Sequence, residues 1–264
     1  MLFARRSGLA AAAVISLMLS GCGANLPPTA SISNEMSGAG AAYPSIAAEK
    51  PEGMPRPFGD PTASGGGGRE VIAEPTMADI MAPSPLPEMS WGSATAPVTI
   101  VQYASLTCPH CRHFHETVYP ELKRRFIDTG KVRFILREFP IGKTSGNATI
   151  ALRCAAPDKY LELYGKFMEQ QASWVSQEVR LDPIFAVARQ VGMTRPQFDA
   201  CLQNQGMIAN LTWVKERGRK LGIVGTPNFF IGTKLIKKEL TIAEIADYVE
   251  QAGQRGTPTA AASP

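Results

Sequence analysis

The chain has 264 residues, 44% hydrophobic and 19% charged, with a formal net charge of +4. That length and balance suit one sizeable core or two small ones and exclude a highly charged disordered chain. Residues 91–253 carry 21 basic and 15 acidic side chains while residues 23–90 carry 3 and 8, and the densest basic runs, Lys123-Arg124-Arg125 and 215–220, lie on helix-like sequence; no nucleic-acid partner is expected.

Residues 1–21 read as an export signal. Arg5 and Arg6 supply a positive start, residues 9–19 an apolar stretch too short to span a bilayer, and small residues follow. Leu19-Ser20-Gly21-Cys22 resembles the lipobox of bacterial lipoproteins. That resemblance implies lipid on Cys22, an anchor to a membrane of the bacterial cell envelope and a chain facing the periplasm. The alternative is an ordinary cleaved signal with an incidental cysteine.

Residues 22–88 read as a flexible tether: 20 of the 66 residues in 23–88 are Gly or Pro, and Tyr43 and Phe58 are its aromatic residues, so it cannot bury a core. As a free coil it spans roughly 45 Å. A short piece over 71–80 is a candidate edge strand. The folded domain is expected over 89–253, with order starting near Trp91, and a loose tail over 254–264.

Residues 97–103, rich in β-branched side chains, predict a buried strand. Apolar positions Cys111, Phe114, Val118, Leu122 and Phe126 recur at helical spacing over 109–129; Pro120 should kink that helix and Gly130 end it. A second strand over 131–138 completes a parallel βαβ unit. Helical patterns follow over 147–155, 159–171, 183–191, 196–203 and 208–220, with start signals at Asp182 before Pro183 and at Thr194 with Gln197. Strands over 228–231 and 234–237 form a hairpin through Gly232-Thr233, and Thr241 with Glu244 caps a last helix over 241–252. The expected fold class is α/β: a thioredoxin-like βαβ plus ββα order with an all-helical insertion at about 145–220.

Residues 106–115, LTCPHCRHFH, hold two cysteines and all three histidines of the chain. Covalent haem needs histidine straight after the second cysteine, where Arg112 stands. Structural zinc needs four ligands; Cys108, Cys111 and His113 or His115 make three, and the remaining cysteines are distant. A purely structural bond across so small a loop removes little chain entropy. A redox centre explains more. Pro109 suits the first helical position, which leaves Cys108 at the cap, where free N–H groups and the positive helix end favour a thiolate. His110 can add a positive charge or a hydrogen bond, Cys111 faces inward as the partner sulfur, and His113 and His115 are expected to be solvated. Thr226-Pro227, entering the hairpin, is expected to be cis and beside Cys108, with the Thr226 backbone free to pair with an extended substrate segment, the alternative being a plain trans proline in a loop.

With Cys22 assigned to lipid, four of the five cysteines remain; pairing Cys108 with Cys111 leaves Cys154 and Cys201 as a structural staple, the alternative being two buried free thiols.

From about residue 91 to 252 the chain resembles the DsbA-like branch of the thioredoxin superfamily, on Cys108-Pro109-His110-Cys111, the helical insertion and Thr226-Pro227. The resemblance implies a low-pKa Cys108 and a protein-disulfide oxidase needing no cofactor and no metal. It also implies reduced exported polypeptides as substrates and a quinone-linked membrane oxidase for reoxidation. A disulfide isomerase or reductase with the same site is the alternative, or a polypeptide-binding lipoprotein without turnover. The tether shows no heptads, which favours a monomer.

Overall fold

The computed structural model describes residues 70–256, with side chains up to residue 252. The expected signal, Cys22, the tether up to residue 69 and the tail from 257 lie outside the described residues.

The first element is a short helix, α1 (Met77–Ile80), closed by a capping box in which Thr76 and Asp79 exchange side-chain and backbone bonds. Strand β1 (Met89–Trp91) follows, then β2 (Val98–Ala104). A long helical run then alternates α-helical and π-helical turns: α2 (Pro109–His113), a π turn over Phe114–Val118, α3 (Tyr119–Leu122) and a π turn over Lys123–Ile127. Where a kink at Pro120 is expected, the structure has a wider turn: the Tyr119 N–H reaches back five residues to the Phe114 carbonyl just before the residue that has no N–H to give. Gly130, at φ +73°, ends the run as expected.

Strand β3 (Val132–Glu138) pairs parallel with β2 from Val98 opposite Val132 to Ala104 opposite Glu138. The insertion holds α4 (Gly142–Cys154), α5 (Tyr160–Glu169), α6 (Gln171–Trp174), α7 (Leu181–Ala188), α8 (Arg195–Leu202) and α9 (Gln205–Lys220). The Thr194–Gln197 capping box forms as expected. Asp182 does not cap α7; it lies in the first turn, one residue after the helix has begun. Strands β4 (Asn228–Ile231) and β5 (Lys234–Ile236) make the hairpin, and α10 (Ile242–Gly256), held by Thr241 and Glu244, runs beyond the expected end at 252–253. The sheet order β1-β3-β2-β4-β5 is mixed, with β2 and β3 the parallel pair at its centre.

Both faces of the sheet are covered. One carries Ile100, Phe134 and Phe229 against Phe114, Leu122 and Ile245, continuous with the core of the insertion. The other carries Val101, Tyr103, Ile135 and Phe230 against Ile80, Leu221 and Ile223. Strands buried on two sides explain the near-continuous apolar runs of β2 and β4. On this second face α9 comes close: a Cβ at Gly218 would sit 2.8 Å from the Tyr103 ring.

Two expectations are corrected here. Residues 71–80 do not form an edge strand; that place is taken by β1, antiparallel to β3. Nor does the tether reach residue 88. Ile80 is fully buried, Ile72 N–H donates to Lys220 O at 2.8 Å, and Arg137 donates to Ile80 O at 2.5 Å and to Glu88 at 3.1 Å. A Pro-rich stretch can lie down on a sheet without regular structure when buried arginines satisfy its carbonyls.

Candidate active site

The site forms where β2 runs out and α2 begins. Ser105 O accepts the Cys108 N–H at 3.0 Å, and Cys108 is the N-cap of α2 with Pro109 in the first turn. The loop is tied to the insertion by Ser105 Oγ and Ser145 Oγ, 2.8 Å apart and buried, and by Ile141 N–H donating to Ser105 Oγ at 3.3 Å. Cys108 is half-buried and Cys111, one turn further, is completely buried. Both are free thiols here.

Across from them the Thr226–Pro227 peptide is cis. The Cys108 thiol donates to Thr226 O at 3.1 Å. The Thr226 hydroxyl is buried with no hydrogen-bond partner, and its place beside the sulfur favours the Cys108 thiolate.

Position gives the two sulfurs opposite chemistry. Cys108 is brought down from 9.0 to about 5, first by the hydrogen bond from Cys111, against the cost of burial, then by Thr226 and by the backbone N–H groups of Cys111 and His110. Cys111 is pushed well above the ordinary thiol value, first by burial and then by its neighbour Cys108. The arrangement therefore presents one partly accessible sulfur that ionises easily and one enclosed sulfur that holds its proton.

Two of the three histidines depart from expectation. The His110 ring turns away: its Nδ1 lies 3.1 Å from Glu239 Oε2, so His110 supports Cys108 through its backbone N–H. His113 is exposed, as expected, and its Nε2 is 3.5 Å from the other oxygen of Glu239. His115 is not solvated. One turn after Cys111 on the inward face, it stacks on Tyr119 and meets the Tyr164 ring edge-on at 5.2 Å, and burial lowers its pKa.

Cys154 and Cys201 are bonded to each other. They join the end of α4 to α8 inside the insertion, beside a cleft of about 430 Å³ that Met193 and Asn204 also line. Sequence reasoning missed Glu239 and Gln171. Gln171 donates to Leu106 O at 2.8 Å and to Cys108 O at 3.1 Å. Neither carries a local signal, since each meets the site through a contact more than 60 positions away.

A five-strand mixed sheet with a Cys-X-X-Cys pair at the N-terminus of the helix after its central strand, facing a cis-proline, defines a thioredoxin-fold dithiol protein. The chain belongs to the thioredoxin family, whose sequence profile matches residues 85–251. A Rickettsia conorii chain, named provisionally as a protein-disulfide oxidoreductase, is 31% identical over 149 residues, covering 54% of this chain and 53% of that one. The disulfide bond formation protein D of Bacillus subtilis is 25% identical over 165 residues, covering 61% of this chain and 74% of that one. The chain thus spans about half the length of the Rickettsia relatives it matches. Among solved structures, Wolbachia pipientis α-DsbA1 superposes with a TM-score of 0.61 at 25% identity, covering 68% of this chain and 97% of that one.

Proposed function

We propose that this chain is a protein-disulfide oxidoreductase that donates a Cys108–Cys111 disulfide to exported polypeptides. The observation that carries the reading is the Cys108 sulfur at the cap of a helix, facing the cis Thr226–Pro227 peptide, where its pKa falls to about 5 while burial raises that of Cys111. A substrate thiolate attacks Cys108 of the oxidised pair, forming a mixed disulfide and expelling the Cys111 sulfur, which takes up a proton. A second substrate thiolate then attacks the substrate's own sulfur in that bond and Cys108 leaves as its stable thiolate. Two electrons pass to the enzyme, and the substrate gains one disulfide. Because a good leaving group makes the reduced enzyme the favoured form, the pair gives its disulfide away, with each ~30 mV of potential equivalent to about 1.4 kcal/mol.

Pro109 and His110 belong to this machinery as the first turn that supplies N–H groups, and Thr226 and Pro227 as the wall against which an extended substrate segment lies. Cys154–Cys201 is assigned a structural role. Residues 1–21 are assigned as signal and Cys22 as the lipid site that holds the domain on the periplasmic side of a membrane of the bacterial cell envelope. The family resemblance supplies the quinone-linked membrane oxidase that restores the disulfide.

Two measurements test this. Reduced, unfolded protein given the oxidised enzyme should gain disulfides, and Cys108→Ser should abolish the gain. The potential of the 108–111 pair then separates directions: a value well above that of the glutathione pool supports donation, and one below it turns the assignment to a reductase.

A further inference from the structure

The Leu106 and Cys108 carbonyls of the redox loop are held by more than the helix that the loop starts. Gln171, at the first position of α6, is buried at 6% exposure. Its Nε2 group has two protons and lies within hydrogen-bond distance of Leu106 O, at 2.8 Å, and of Cys108 O, at 3.1 Å, with Met168 Sδ at 3.6 Å. Cys108 O also accepts the Arg112 N–H at 3.1 Å, so helix and insertion share that carbonyl. No shorter path along the chain provides this donor: Gln171 is 63 residues from Cys108.

We propose that Gln171 is a positioning residue for the dithiol, acting from the helical insertion to fix the Cys108–Pro109 peptide and so hold the His110 and Cys111 N–H groups on the Cys108 sulfur. A hydrogen-bond donor to thiolate is effective only while aligned, and alignment here depends on the dihedral that follows the Cys108 Cα. Removing the amide takes the side-chain donor from Leu106 O and leaves Cys108 O with the Arg112 N–H alone, and the loop can recover the lost bonds only by moving. The insertion is thereby part of the redox centre and not merely a cover over it.

This inference rests on the reading of Cys108 as the ionising sulfur, and one experiment keeps the two apart. Thiolate absorbance of the reduced full chain is followed against pH, together with its equilibrium with glutathione and its urea midpoint. In the unaltered protein a midpoint near an ordinary thiol would sink the functional reading itself. Given a low midpoint there, Gln171→Met, which keeps the volume and removes the donor, should raise it by roughly one unit and make the pair about 10-fold less oxidising, the size expected for losing a bond that supports a charge. Trp174→Phe serves as the control. It removes the Trp174 bond to Phe167 O, 2.8 Å, from the same short helix while keeping the two Gln171 bonds to the loop. An unchanged midpoint in Gln171→Met, or an equal rise in Trp174→Phe, overturns the proposal. Should Gln171→Met not fold, Gln171→Asn, with its amide one methylene short, is read in its place: a rise supports the role and no rise ends it.

Discussion

At the scale of single residues, the distance between a reactive and an inert sulfur is one helical turn. Cys108 sits where the helix has N–H groups to spare, and Cys111 sits where they are already spent and water is excluded. This difference has a pH signature. In the oxidised protein neither sulfur titrates. In the reduced protein the Cys108 thiol ionises at about 5 when folded and near 9.0 when unfolded. A group whose folded pKa is depressed adds stability that is complete above the unfolded value and is lost as pH falls to the folded one. The reduced form should therefore gain stability over the oxidised form as pH rises from about 5 to about 9, and the difference should be flat below about 5. Urea midpoints of the two forms across this range check it, and a gap that does not widen with pH would contradict the arrangement of N–H donors seen here. His110→Ala should leave most of the Cys108 shift in place, because its ring faces Glu239 while its backbone serves the sulfur.

At the scale of elements, the insertion is a bundle that must hold its own shape while touching the redox loop at a few points. Its internal bond between Cys154 and Cys201 spans 47 positions of sequence, enclosing the segment from the end of α4 to α8. In the chain-entropy account a loop of that length contributes on the order of 4 kcal/mol. The double substitution Cys154→Ala, Cys201→Ala should lower the urea midpoint accordingly while thiol oxidation at 25 °C persists, since neither sulfur touches Cys108. A loss of activity with the fold intact would move this pair into the redox chemistry. Gly218→Ala should also destabilise, by about 1–3 kcal/mol, because the new methyl meets the buried Tyr103 ring and α9 has to shift. What could be read beforehand follows from range. Helical and strand periods, the Thr194–Gln197 and Thr241–Glu244 caps and the helix-start position of Cys108 are written within a few residues of where they act. The turning of His110 to Glu239 and the reach of Gln171 to Cys108 join residues 129 and 63 positions apart, and no local pattern encodes them. His115 departs from expectation for a related reason: a polar side chain on an inward helical position is half-buried where Tyr119, Tyr164 and Gly165 close over it.

At the scale of the whole molecule, the second face of the sheet is completed by a stretch whose composition resembles a linker. Residues 70–88 are rich in Pro and carry little regular structure, yet they bring Ile80 into contact with the sheet core and Leu86 against the insertion. Two arginines hold the backbone down: Arg137 through Ile80 O, and Arg217 through Asp79 O at 2.5 Å. Arg137 is itself buried and bound to Tyr103 and Glu88, so the segment and the central strands share one polar network. If this segment is part of the fold, Ile80→Ala should cost about 2–4 kcal/mol, the range for a buried branched side chain replaced by a methyl. Met77→Ala, on the same helix but 37% exposed, should fall within about 0.5 kcal/mol of the parent. A tether would show neither loss. Equal midpoints for both variants and the parent would return residues 70–88 to the linker and leave Val101, Ile135 and Phe230 needing another cover; a large, selective loss at Ile80 sets the start of the domain near residue 70, and any lipid anchor upstream would have a correspondingly shorter span between membrane and active site.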